Sequence, residues 1–290
     1  MDLETLGSNP VESTKILNIQ TSVILPNIYI YEYVLICMFQ QTFKIEEDGD
    51  IRVVFISDLH IGLVGFREDI FENILKELSK PNTYWIGGGD YVEGRNPKAK
   101  YFDYDENTMS VQDQYDYFFE KIAPYKDKCL GLHVGNHERG LIKESTIDPL
   151  KSFCLQNKIP YLGGTAITTL KRGKKSHRIC TLHGAGGGAK IGSNMNKLVD
   201  YLSSFEADTI ICGHFHKLGE AYGMKPYVDD MGKHRWRYTR VVLSGSCLDA
   251  YSNKGSSYAE LGMMSPNALG YAVLNLDKDM NADVQLKPFV

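Results

Sequence analysis

No stretch of this 290-residue chain is apolar for long enough to cross a bilayer as a helix, which needs about 20 such residues. The most apolar segment, Val23 to Phe39, is broken by Pro26, Asn27 and Glu32, and Ile28-Tyr-Ile-Tyr inside it reads as one or two strands. Positive charge is scarce as well. The 32 Lys and Arg stand against 36 Asp and Glu, a formal net charge of −4, so polyanions find no general attraction and any nucleic-acid contact has to be local. Six Cys lie at 37, 129, 154, 180, 212 and 247 with no CxxC and no tight pairing. That excludes a Cys-rich zinc site and a disulfide framework, and fits reduced, buried thiols in a cytoplasmic protein. The opening Met-Asp-Leu-Glu lacks the positive n-region of a secretory signal. Repeats and low-complexity linkers are missing too.

What is present reads as one main domain over residues 46–290, preceded by a β-rich extension over residues 1–45 packed against it. Arg-Val-Val-Phe-Ile-Ser (52–57) is a β-branched and aromatic run of the kind buried on both faces. A helix follows from Glu68 to Lys80 with Ile70, Phe71, Ile74, Leu75 and Leu78 on one stripe, stopped by Pro81. Next come a strand at Tyr84-Trp-Ile-Gly, a helix capped by Ser110, and a strand from Cys129 to Val134. A further helix opens at Asp148-Pro149, an N-cap followed by proline at the first helical position. In the second half Ala166 to Leu170 and His177 to Leu182 form a hairpin joined by Lys171-Arg-Gly-Lys-Lys-Ser. A helix from about Asn194 to Phe205 buries Met195, Leu198, Val199 and Leu202, and Thr209 to Cys212 is a core strand. The remainder is extended, with a turn near Asp230-Met-Gly-Lys and strands from Tyr238 to Ser244 and from Tyr271 to Leu276. Early alternation and late β-richness predict an α/β fold, a two-sheet β sandwich flanked by helices.

The chemistry sits where these strands end. The first ends in Asp58-Leu-His60, the second in Gly89-Asp90, and the third in Gly135-Asn136-His137-Glu138. Two later strands end in His183-Gly184 and in Gly213-His214-Phe-His216. Sites in α/β sheets lie outside the carboxyl ends of strands. One such element is weak; five in order are strong. Asp and Asn oxygens with several imidazoles and no thiolate suit Mn, Fe, Zn or Co at a catalytic centre. About seven ligands exceed the needs of one ion, whereas two ions sharing a bridging carboxylate can clamp a phosphate and carry a bridging hydroxide.

In order and spacing these blocks resemble the signature of the calcineurin-like metallophosphoesterases, over roughly Arg52 to Lys217. The resemblance implies a four-layer fold and two divalent ions, Mn first, with Fe, Zn or Co as alternatives. It implies that Asp58, His60 and His216 hold one ion, that Asn136, His183 and His214 hold the other, and that Asp90 bridges them. His137 would be the catalytic histidine at the leaving oxygen, with Asn136 at the phosphoryl group. His183-Gly-Ala-Gly-Gly-Gly with the Gly-His-x-His block is also similar to uncharacterised phage and prophage members. Two departures stand out: Glu93 follows in Asp90-Tyr-Val-Glu93, and Val134 rather than Arg precedes the Gly-Asn-His-Glu block, which weakens a protein-phosphatase reading. The implied activity is phosphate-ester hydrolysis, leaning to phosphodiesterase or nuclease with nucleic acid among the substrates. The alternatives are a phosphomonoesterase and a non-catalytic scaffold. No membrane partner is expected, and the sequence is silent on oligomeric state.

Other features read more plainly. Gly184-Ala-Gly-Gly-Gly-Ala189 fits a loop beside the metals, whose amides can approach a phosphate, or a plain turn, better than a dinucleotide site. The basic run Lys171-Arg-Gly-Lys-Lys-Ser-His-Arg178 is foremost a solvated hairpin tip, with a polyanion contact as the alternative. Arg139 is either a phosphate fork or a surface arginine, while His133, His177 and His234 are structural or surface residues. Tyr29, Tyr31 and Tyr33 alternate as a packing face.

Overall fold

The computed structural model describes residues 24–25, 28–31, 39–94, 107–188, 190–229, 231–252 and 265–289. Cys37 and Tyr33 fall outside the described residues, as do the side chains of Tyr29 and Tyr31. In chain order come β1 (Ile24–Leu25), β2 (Ile28–Tyr31), β3 (Phe39–Lys44), β4 (Ile51–Ile56), α1 (Glu68–Leu78) and β5 (Thr83–Gly87). Then follow α2 (Val111–Ile122), a 3₁₀ turn at Ala123–Lys128, β6 (Cys129–His133), α3 (Asn136–Ser145), α4 (Pro149–Asn157), β7 (Tyr161–Gly163), β8 (Thr165–Arg172) and β9 (Lys175–Leu182). The chain continues through α5 (Ile191–Ser204), β10 (Thr209–Cys212), β11 (Leu218–Val228), β12 (His234–Ser244), β13 (Gly270–Leu276) and β14 (Ala282–Pro288).

Two sheets result, one in the order β14-β13-β4-β5-β6-β7 and one in the order β1-β2-β3-β8-β9-β10-β12-β11. Strands β4 to β7 run parallel in the first sheet, and β9, β10 and β12 run parallel in the second. Side chains of a strand alternate between its faces, so an uninterrupted apolar run feeds two cores at once. Val53 and Phe55 of β4 join Ile86, Leu130, Ile179, Ile211, Val242 and Leu274 between the sheets. Val54 and Ile56 point the other way, into Ile70, Phe71 and Ile74 of α1 and Tyr115 and Phe118 of α2. A third layer of core forms where Leu198 of α5 covers Ile210, Val241 and Leu243. The order is therefore helix, sheet, sheet, helix.

Local chemistry sets the element ends. The Ser110 hydroxyl accepts from Asp113 N–H at 3.2 Å, and the Asp148 carboxylate accepts from Lys151 N–H at 2.8 Å with Pro149 at the first helical position. Each cap contributes about 1 kcal/mol. Buried polar groups stitch the two sheets. Gln41 donates to Leu130 O at 2.6 Å and Thr168 Oγ1 at 2.9 Å, and His133 Nε2 lies 2.8 Å from Thr181 Oγ1 with Nδ1 3.1 Å from Gly163 O. The five Cys of the described residues are free and buried.

The stretch after Gly135, to which the sequence reading assigns no element, is helix α3, its first turn held where the Glu138 carboxylate accepts from the N–H of Gly135. Two expectations change. The basic hairpin linker is mostly strand: β8 and β9 pair out to Arg172 and Lys175, leaving Gly173, at φ +58°, and Lys174 as the turn. Val199 faces solvent rather than the core, since α5 turns only a narrow stripe centred on Leu198 toward the sheet.

Candidate metal centre

The carboxyl ends of β4, β5, β6, β9 and β10 meet at one end of the sandwich, and all eight residues singled out in sequence converge there. Chain turns of an unusual kind bring them together. Among the described residues nine non-glycine positions have positive φ, and five of them are Asp58, His60, Asp90, His214 and His216. Left-handed backbone costs a side-chain-bearing residue about 1–2 kcal/mol, and such strain collects at functional sites. At Asp58 and His60, and again at His214 and His216, the doubled kink turns two side chains two residues apart into the same space. Backbone bonds hold it: Asp58 N–H donates to Gly89 O at 3.0 Å and His60 N–H to Asp90 O at 3.1 Å. Glycine is required where the loops touch. A Cβ on Gly135 would lie 2.1 Å from Asp90 Oδ1, and one on Gly213 would lie 2.7 Å from Asp58 Oδ2.

The donor atoms form overlapping clusters. Among the described residues Asp58, His60 and His216 make one, Asp90, His183 and His214 a second, and His60, Asp90 and His137 join them. His216 Nε2 is 3.2 Å from Asp58 Oδ1 and 3.1 Å from His60 Nε2. His183 Nε2 is 3.2 Å from Asp90 Oδ2 and 2.9 Å from Asn136 Oδ1, which in turn lies 2.8 Å from His214 Nδ1. Asp90 thus stands between the two groups, with Oδ1 accepting from His137 N–H at 2.9 Å and Oδ2 left facing the cluster.

The outer nitrogens of the imidazoles decide what the inner ones can do. His60 Nδ1 donates to Glu93 Oε2 (3.0 Å), His183 Nδ1 to Gly88 O (2.9 Å), His137 Nδ1 to Glu93 O (2.7 Å) and His214 Nε2 to Gly186 O (2.8 Å). A ring held this way presents a lone pair inward when it is neutral, and lone pairs that face one another and carboxylates need a cation between them. This donor set fits divalent metal.

Electrostatics agree. Burial works to raise the Asp90 carboxyl, but the neighbouring His137 and His183 outweigh it and hold it well below the usual range. Asp58 is lowered in the same way, burial being overcome by His216. Burial lowers His60. His183 is pushed up to about 10, since Asp90 and Asp58 overcome the burial that would lower it. A cation held here by Asp58, Asp90 and His183 would take the place of the His183 proton.

Two functional residues had no role in the sequence reading. Glu93, fully buried, reaches His60 through Oε2 and lies 3.5 Å from His137 Nδ1, so one carboxylate sets two imidazoles. Glu138, also fully buried, accepts from the N–H groups of Asp90 (2.9 Å), Tyr91 (2.8 Å) and Gly135 (2.8 Å), tying two loops together. Burial and the Asp90 charge push it up to about 7. The signal for Glu93 was its place as an acid three residues after Asp90.

Other sequence candidates lie elsewhere. The basic run is at the far end of β8 and β9: Arg172 donates to Gly49 O and Asp277 O, Lys175 pairs with Asp279, and Arg178 pairs with Glu206. It braces the fold and does not frame the metal end. Arg139 is exposed on α3 near Gly164 and makes no ion pair among the described residues.

The sequence model of the calcineurin-like phosphoesterases matches residues 51–218, more than half of the chain. No curated protein matches the chain significantly. Solved structures resemble it in shape. A predicted phosphoesterase from Streptococcus pneumoniae is 12% identical, with a TM-score of 0.35 over 83% of this chain and 98% of its own. Wild-type Vps29 of Entamoeba histolytica, solved with zinc, is 15% identical with a TM-score of 0.37 over 83% of this chain and all of its own. GAP50 of Plasmodium is 10% identical with a TM-score of 0.38, covering 83% and 90%. The chain belongs to the calcineurin-like phosphoesterase family and is a metal-dependent hydrolase of phosphate esters.

Proposed function

We propose that this calcineurin-like phosphoesterase cleaves phosphate diesters, nucleic acid among them, at a centre of two divalent cations. Asp58, His60 and His216 would hold one cation, Asn136, His183 and His214 the other, with Asp90 between them and Mn the first choice of metal. The observation that carries the reading is the set of inward lone pairs just described, each fixed by an outward hydrogen bond. Bound cations of this kind activate water and neutralise phosphoryl charge. The side chains do the rest. Asn136 is exposed at the rim, its Oδ1 turned to His183 and His214, which leaves its amide N–H₂ to donate to a phosphoryl oxygen. His137 Nε2 faces the cluster 4.0 Å from Asp90 Oδ2, where the ring, once protonated at Nε2 as well as at Nδ1, would pass that proton to the leaving oxygen while Glu93 supports it from behind. Residues 46–290 form the catalytic unit in this reading, and the extension over residues 1–45 lies largely outside the described residues.

The diester preference rests on the loop after His183. The amides of residues 184–188 donate no hydrogen bond within the described residues, and Gly184 and Gly186 have φ of +106° and +78° while Ala185 and Gly187 between and after them do not. Alternating φ of this sort turns successive N–H groups toward one side, a shape that receives anions. Gly186 O touches His214, so the loop borders the metal end and can take a second phosphate substituent.

The test is metal analysis of the purified chain, then turnover with Mn on bis- and mono-p-nitrophenyl phosphate and on single- and double-stranded DNA across a salt titration. Faster cleavage of the bis ester is expected. A strong monoester preference without DNA cleavage would make the chain a phosphomonoesterase, and a chain inactive with Mn and free of metal would make it a scaffold.

A further inference from the structure

The apolar surface of the molecule is unevenly spread. Among the described residues twelve large apolar side chains are exposed, and seven belong to the β11–β12 hairpin: Tyr222, Met224, Tyr227, Val228, Met231, Trp236 and Tyr238. The register shows why most of them share a face. Tyr222 pairs with Arg240, Met224 with Tyr238, Pro226 with Trp236 and Val228 with His234. Two residues further along β12, on that same face, Val242 is buried in the core between the two sheets. Arg240 still reaches the first sheet, donating to Ala282 O at 2.7 Å. Beyond it the first sheet ends in the β13–β14 turn, whose Asp279 to Asn281 line a cavity with Trp236 and Tyr238. The exposed side chains are therefore a continuation of the sandwich interior with no sheet opposite. Tyr222 and Tyr238 pack edge to face, 6.5 Å between centroids, and are 71% and 61% exposed, with Trp236 at 58%.

We infer that this overhanging face is covered by the same face of a second copy of the chain, making a two-fold dimer. The first support is shape. What the face is missing is an opposing sheet with an apolar surface, and the hairpin itself is such a surface, so a two-fold axis between two hairpins completes both sandwiches at once. The second is area. Three aromatics, a Met and a Val at these exposures present roughly 500–600 Å² per copy, so a pair covers on the order of 1,100 Å², enough for a specific association. The third is charge. Arg235 pairs with Asp229, Arg237 with Asp208 and Glu206, and Arg240 with Glu220. The arginines are thus neutralised by the chain's own acids, which removes the field a nucleic acid would need. A rim of both signs is complementary to itself.

The chain carries two Trp, one of them Trp85, fully buried, so the environment of Trp236 can be followed by emission. Full-length protein is taken from about 1 to 100 µM in sedimentation equilibrium and in fluorescence. The expected result is twice the chain mass, with Trp236 emission moving to the blue as the dimer forms. The double variant Trp236→Glu/Tyr238→Glu, and separately Met224→Glu, should weaken the dimer at least about 100-fold and about 10-fold. Circular dichroism and aryl phosphatase turnover should stay unchanged, since neither variant touches the metal end. A wild-type chain that stays at single-chain mass at 100 µM overturns the inference. So does a dimer that survives the double variant, and so does blue-shifted Trp236 emission in a monomer that reverts on removing residues 1–38, which would make that segment the cover.

Discussion

The two ends of the β11–β12 hairpin live under different rules. At its root β11 starts two residues after His216, and β12 ends at Ser244, whose hydroxyl lies 2.7 Å from that of Ser57 beside Asp58. There the backbone is left-handed at five side-chain-bearing residues, carboxylates are fully buried, and the glycines between loops admit no methyl group. At the tip the side chains are aromatic, exposed and free of such strain. One strand pair thus runs from the costliest part of the molecule to its least constrained. Burying Asp58, Asp90, Glu93 and Glu138 in one place is expensive without compensating charge. The structure tolerates it because three apolar cores and their helices lie below. The tip contributes little to the fold and is open to other uses.

The largest effect that would sharpen this contrast is expected at Asp90. Asp90→Asn keeps size and removes the charge shared by both donor groups. Turnover should fall by at least about 10³-fold, and bound metal measured after gel filtration should fall with it. The tip offers the control: Tyr238→Ser should leave turnover within a factor of two. Should the tip variant lose activity as Asp90→Asn does, the division between the two ends is wrong.

Below the site, His133 allows a pH test. Burial drives its imidazole down to about 4, against about 6.5 for an ordinary histidine. In the unfolded chain it takes up a proton as pH falls below about 6.5, while the folded chain resists until about 4. Its contribution is complete above pH 6.5 and is lost as pH falls through that window, about 3 kcal/mol in all. The measurement is urea unfolding of metal-free protein at pH 4.5 to 7 for wild type and His133→Gln, read as the difference between their slopes. Equal slopes would show that His133 titrates normally and that the tie to Thr181 is weak.

Much of this was legible in the sequence, and the omissions share a cause. The strands β4, β5, β6 and β10 were readable because runs buried on both faces leave an unbroken apolar signature, and the ligands were readable because each follows such a run. Ser110 and Asp148 announced their helices as caps. Helix α3 was missed because its turns carry Asn, His, Glu, Arg and Gly with a single buried side chain, Glu138, so no apolar stripe marks it. The hairpin at Gly173 was misjudged because Arg172 and Lys175 look like turn residues, and only the partners they find at Gly49, Asp277 and Asp279 make them strand. Glu93 and Glu138 act on residues up to 48 positions away, through contacts that no local pattern encodes. The overhang of β11 and β12 depends on where the other sheet stops, which is a property of two strands distant in sequence.

Glu93 gives the next smaller effect. Its carboxylate orients His60 and lies beside His137 without facing the reacting space, so it is a positioning residue. Glu93→Gln retains an acceptor oxygen and should lower turnover about 10-fold, while Glu93→Ala should lower it toward 100-fold and weaken metal retention. A merely structural role would lower melting temperature in both without separating them. The pair is told apart by bound metal at fixed chelator: retained in the Gln variant, partly lost in the Ala variant.

The smallest effects are expected at the exposed positions, and they test whether strain and burial, rather than nearness to the site, decide what matters. Arg139 is only three residues from Asn136 but exposed and without an ion pair among the described residues, and Val199 is apolar but faces solvent. Val199→Lys removes an apolar side chain from water on an exposed helix face, so its unfolding free energy should stay within about 0.5 kcal/mol of wild type. Arg139→Ala should change turnover on a simple aryl phosphate less than about 3-fold, because a small leaving group has nothing to place against the guanidinium. If the diester reading holds, the same variant should raise KM more for bis-p-nitrophenyl phosphate than for the monoester, with kcat little changed, as expected for loss of binding shared by ground and transition states. A drop in kcat as deep as that of Asp90→Asn would place Arg139 on the reacting phosphoryl group and move the centre of the site toward α3.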